Sequence, residues 1–170
     1  MLNCFLDEFE AYDSPVSAAT SFLFSLASNR TKTTFMPILG FINQVLQAKP
    51  AAPQRYGALN MTAALGPFIM RHPDVKGSMG QFVLQHVLPE FSSPEPYMRA
   101  VACEVLGTVI KAGLKFPDEQ QLHQAFTAVT SAIDDPELPV RVHACLALTE
   151  MVIDSNTGVS ECSNCYRTRN

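Results

Sequence analysis

The chain has 170 residues, 47% of them hydrophobic and only 16% charged, with a formal net charge of −4. That supply of apolar side chains is enough for a substantial core and excludes disorder of the whole chain. No Lys/Arg-rich run occurs, so the footprint of a nucleic-acid binder is missing, and a mildly acidic surface suits basic protein partners better.

In chain order, apolar periodicity and turn residues predict helices over residues 1–11, 16–29, 33–48, 54–71, 78–87, 97–111, 118–133 and 139–153. The opening MLNCFLDEFEAYD carries acids where a signal peptide needs a basic region, and no stretch reaches the roughly 18 apolar residues of a membrane span. These features point to a soluble intracellular protein. Ser14-Pro15 reads as an N-cap followed by proline at the first helical position, and Pro117 followed by Asp118 and Glu119 starts another helix. In the last helix Val140, Ala144, Leu148 and Met151 share one face, with Val142, Cys145 and Val152 expected to widen the stripe. The breaks DSP, KPAAP, HPDVKG, SSPEP, KFPDE and DDPELP are of the length found between packed helices.

The chain also repeats itself. Arg99 and Arg141 stand 42 residues apart, and the same shift sets Pro94 on Pro136, Glu95 on Glu137, Cys103 on Cys145 and Leu106 on Leu148. Leu65-Gly66 falls on Leu106-Gly107 in a third copy, and SPVSAATSFLFSLASN is a looser fourth. A period near forty residues is a pair of antiparallel helices with two turns, which cannot bury its apolar faces alone and must stack on its neighbours. The predicted fold is therefore all-α, a superhelix of helix pairs: a partial repeat over 1–29, three repeats over 30–153 (about 33–71, 78–111 and 118–153), and a disordered tail over 154–170.

No motif assembles a catalytic centre: GxSxG, Walker, GxGxxG and HExxH patterns are all missing. His72, His86, His123 and His143 sit in four different segments. Cys162-x-x-Cys165 is half of a zinc ribbon with no second half following it. The five cysteines are an odd number, and Cys103 and Cys145 occupy equivalent helical positions suited to small buried side chains, so a disulfide framework is not expected. The triplets Asn29-Arg30-Thr31 and Asn60-Met61-Thr62 have no meaning outside the secretory route. The reading is a non-enzyme with no cofactor and no metal.

Two groups of residues stand out. Glu104, Thr108 and Lys111 lie at steps of four and three on one second helix, and Glu150 is equivalent to Thr108 one repeat later. They are the candidates for contact with a partner on the concave face that second helices line in a solenoid. The turn aspartates Asp134 and Asp135 with Arg141 resemble the HEAT pattern, in which such groups pair between adjacent repeats. Arg99 keeps the arginine one repeat earlier, but Ser92 and Ser93 stand where the aspartates would be, so the ladder is expected to be incomplete there.

The blocks YGALNMTAALGPFI, VLPEFSSPEPYMRAVACEVLG and AIDDPELPVRVHACLALTEMVI, with DSPVSAATSFLFSL before them, resemble in this order the nuclear transport receptors of the importin-β superfamily, of the importin seven and importin eight type. The resemblance covers roughly residues 10–153 and implies a HEAT-repeat carrier moving between cytoplasm and nucleus. Such a carrier would bind basic cargo such as ribosomal proteins or histones, contact phenylalanine-glycine nucleoporins, and release cargo to Ran-GTP. The match is to an interior portion, without the N-terminal repeats the family uses for Ran, and Glu104 stands where the related receptors carry an aromatic residue. The rival reading is a HEAT-type scaffold subunit of a phosphatase or chromatin complex without transport. With no polar capping helix in view, the last repeat is expected to leave apolar surface exposed.

Overall fold

Prolines and polar caps cut the chain into helices at nearly the places expected. The computed structural model describes residues 14–167, with side chains described for residues 14–153 other than Lys32. The helices are α1 (Pro15–Asn29), α2 (Thr31–Gln47), α3 (Ala52–Arg71), α4 (Pro73–Lys76), α5 (Met79–Phe82), α6 (Pro96–Lys111), α7 (Glu119–Ala132) and α8 (Leu138–Arg167). No strand occurs among the described residues, and the helix expected over 1–11 lies outside them.

The ends of these helices follow from their residues. The Ser14 hydroxyl accepts from Ser17 N–H at 3.0 Å and the Asp118 carboxylate from Gln120 N–H at 3.0 Å, so each satisfies a donor that the first turn leaves open. α6 stops at Gly113, whose φ of 101° is open to glycine at little cost. Leu114 N–H then bonds back to the Val109 carbonyl and Gly113 N–H to that of Ile110, which is the Schellman arrangement.

Residues 78–87 depart from the single helix expected there. α4 and α5 are single turns, Val83–Val87 is a π turn, and Leu88–Ser92 is a 3₁₀ turn. Gly77 and Gly80 weaken the helix at its start, and Pro89 has no N–H to continue the ladder at its end. Beyond Ile153, where the sequence places the end of the last repeat, helical backbone continues to Arg167. No proline interrupts that stretch, and the one glycine, Gly158, costs a helix about 1 kcal/mol without ending it.

The helices form two layers. α1, α3, α6 and α8 pack against one another in that order, and α2, the segment 73–92 and α7 cover their other side. This is a stack of helical hairpins, the HEAT-type all-α solenoid. Small residues set the close approach within the first of these layers. A Cβ on Gly66 would lie 2.9 Å from Thr108 Cγ2, and one on Gly107 would lie 3.1 Å from Ala147 Cα.

One core runs through the stack, with Phe35, Leu59, Leu65, Met98, Leu106, Val129 and Val140 among its fully buried members. α6 lies at its centre: ten of its 16 residues are buried because α3 covers one side and α8 the other. α8 is covered on one side only among the described residues. Val140, Ala144 and Met151 are buried as expected, whereas Leu148 is only partly so. Val142, Cys145 and Val152 do not widen the buried stripe. They are exposed with Leu146 and Ile153, because these positions point away from α6.

Candidate functional site

The arginine positions come first, because they hold the stack in register. Each sits three residues after the start of a helix of the first layer, and each turns one Nη back onto the preceding turn. Arg55 Nη1 donates to the Pro50 carbonyl at 2.8 Å, Arg99 Nη1 to that of Ser93 at 2.9 Å, and Arg141 Nη1 to those of Asp135 and Pro136 at 2.9 Å. This leaves Nε and Nη2 as a fork aimed at the next hairpin.

Arg99 fills its fork with Asp135, at 2.6 and 2.8 Å. Such a two-point bond between planar groups is the strongest form of ion pair. The hydrogen bond from Arg99 holds the Asp135 carboxyl below its usual range, against the opposing effect of burial, and Glu137 N–H adds a further bond at 2.9 Å. Arg99 is raised in turn, first by the same bond. Asp134 is exposed on the turn, so Asp135 carries the rung.

The rung expected to be missing one repeat earlier is present, made by other residues. Arg55 Nε and Nη2 bond both oxygens of Glu90 at 2.8 and 3.2 Å, and this pair is partly buried. Glu90 lies in the 3₁₀ turn, 35 residues after Arg55, as Asp135 lies 36 after Arg99. Alignment of Ser92 and Ser93 with the aspartates hid it. The spacing of each arginine to the next acid is the signal that finds it. Arg141 forms no ion pair within 4 Å among the described residues, though its charge adds to the lowering of Asp135.

The four partner-contact candidates differ in their surroundings. Lys111 Nζ pairs with Glu150 Oε1 at 3.2 Å, joining α6 to α8 across an exposed edge. Thr108 is half-buried and its methyl group packs where Gly66 leaves room. Glu104 is half-buried like Thr108, but no ion pair reaches it among the described residues, and it lines two adjoining grooves on the outward side of the first layer. Tyr56 and Tyr97 wall one groove with their rings edge to face at 5.3 Å, and His143 completes it.

The opposite side of the molecule carries an apolar groove of about 470 Å³ between α2 and residues 75–86, bordered by Met36, Leu39, Val75 and Phe82. Met36 and, nearby on α2, Phe41 are exposed. His86 lines the apolar groove with its pKa lowered by burial. Burial above all pushes the Cys103 thiol up to about 12, which makes it a poor nucleophile at neutral pH. Among the described residues no three potential metal ligands cluster, and no helix is long and apolar enough to cross a membrane. The side chains of Cys162 and Cys165 lie outside the described residues.

Stacked helical hairpins tied by arginine–carboxylate rungs define the class of protein as a HEAT-repeat solenoid. Comparison with curated proteins gives the family. The chain is 34% identical over 148 residues to human Importin-8, covering 86% of this chain and 14% of that protein. It is 31% identical over 153 residues to an Importin beta-like SAD2 homolog of Arabidopsis thaliana, covering 86% and 15%. A Probable importin-7 homolog of Dictyostelium discoideum is 27% identical over 149 residues, covering 83% and 14%. No family model and no solved structure matches the chain. The chain belongs to the importin-β family, and it spans about one seventh of the length of the relatives it matches.

Proposed function

We propose that this chain acts as part of a nuclear import receptor that moves between cytoplasm and nucleus and carries basic protein cargo, ribosomal proteins or histones among them. Its cargo would be released to Ran-GTP, and passage through the pore would use contacts with phenylalanine-glycine nucleoporins. The observation that carries this reading is the 34% identity to human Importin-8 over 148 residues. Two features support it. The net charge of −4 favours basic partners, and the apolar groove between α2 and residues 75–86 suits a phenylalanine side chain. The role is one of binding, with no catalysis and no cofactor.

The test is a chimera. Human Importin-8 with its matching segment replaced by this chain's is assayed for import of a fluorescent histone into nuclei of permeabilised cells. The reading predicts accumulation that Ran-GTP regulates, as in the parent receptor. A chimera that folds, judged by its thermal unfolding, yet imports nothing would contradict it and favour a scaffold role without transport.

A further inference from the structure

We infer that Glu104 forms the floor of a site for a lysine or arginine side chain of an extended peptide, an inference that rests on the cargo-carrying reading for its kind of partner. The case begins with an unbalanced charge. Glu104 is half-buried and no cation pairs with it among the described residues: Lys111, Arg55 and Arg99 are held by Glu150, Glu90 and Asp135, and Arg141 turns back onto the turn before its own helix. A half-buried carboxylate without a partner attracts a cation supplied from outside more strongly than one in open water does.

The surroundings select what kind of cation. Glu104, Tyr56, Tyr97 and His143 border a groove of about 370 Å³. The tyrosine pair gives it aromatic walls, which attract an ammonium or guanidinium group through the ring quadrupole and cover the apolar stem of the same side chain. A divalent metal ion needs several oxygen ligands, and one carboxylate does not provide them.

The second groove, about 330 Å³, adjoins the first across Glu104 and is bordered by Asn60, Ser17 and Thr20. There the Asn60 side-chain nitrogen is buried with no hydrogen-bond partner. Such a donor left unmade costs roughly 1–3 kcal/mol, and a rotation of the Asn60 side chain into the groove would let a backbone carbonyl of a bound peptide satisfy it. A charged side chain at Glu104 and a carbonyl at Asn60 are together the pattern of a basic residue within an extended chain. A free amine supplies only the first.

The test uses the 170-residue protein and a fluorescein-labelled nonalysine peptide, with binding read by anisotropy at 150 mM salt. Loss of one charge-assisted hydrogen bond is worth about tenfold in affinity. Glu104→Gln is therefore expected to weaken binding about tenfold, and Asn60→Ala about fivefold. Glu95→Gln, an exposed acid at the start of the same helix, should change it less than twofold. A nonaglutamate peptide should not bind, and lysine amide should bind Glu104 more weakly and ignore Asn60→Ala. Equal losses in Glu104→Gln and Glu95→Gln would show diffuse charge attraction and overturn the site, as would an absence of nonalysine binding. An importing chimera with no Glu104 effect would remove the site and keep the function. A Glu104-dependent peptide with no import would do the reverse.

Discussion

Arg99 does two things at once: it closes the turn before its own helix and reaches the carboxylate of the next hairpin. Removing either partner leaves the other nearly buried and unpaired, so Arg99→Ala should cost about 3 kcal/mol, in line with broken buried pairs. The pH dependence has a definite sign. The folded Asp135 carboxyl titrates below its unfolded value of about 3.9. Its contribution is therefore fully present above about pH 4 and is lost as pH falls through the lower folded value. Urea unfolding of the wild type and Asp135→Asn at pH 7, 4 and 2.5 should show a stability gap that is constant down to about pH 4 and narrows below it. A gap that widens on acidification would mean the pair is not what holds this turn. Arginine and aspartate as a rung were legible in the sequence. Glu90 was not, because its turn is one of irregular helical pitch that a fixed 42-residue shift cannot align.

At the scale of elements, periodicity and turn residues were enough to place α1, α2, α3, α6 and α7 within two residues at each end, with a proline in the first turn of α1, α3 and α6 and the Asp118 cap before α7. The segment 73–92 escaped because two glycines and Pro89 break it into four short turns, a competition that periodicity does not register. Helix spacing was equally illegible: Gly66 and Gly107 read as ordinary helical glycines, and only their neighbours show that they set how closely α3, α6 and α8 approach. This separates two substitutions that look alike in sequence. Gly57→Ala in α3 meets nothing within 4 Å and should stabilise by about 0.5–1 kcal/mol through helix propensity. Gly107→Ala places its methyl group against the Ala147 backbone and should destabilise by about 1–3 kcal/mol as overpacking does. Thermal unfolding that shifts upward for both would show that α6 and α8 are not in tight contact.

For the whole molecule, the decisive property is that each hairpin is covered by its neighbours and by little else. The consequence is visible at the edges: Phe22 is 66% exposed on α1 and Leu146 60% exposed on α8, while Leu106 at the centre is fully buried. The sequence foretold exposed apolar surface at the last repeat for want of a capping helix, but it assigned Cys145 and Val152 to the buried stripe, Val152 from helical periodicity and Cys145 also by analogy with Cys103 on α6. The analogy fails because burial in a stack depends on which neighbour lies beyond, which a residue's own pattern does not encode. A stack with nearest-neighbour stabilisation should open from its ends inward. Native-state amide hydrogen exchange on the 170-residue protein tests this most directly. Protection should peak in α6, fall toward α1 and the start of α8, and match global unfolding only in α6. Equal protection of all three helices would describe a single closed core and contradict the open stack on which the proposed function stands.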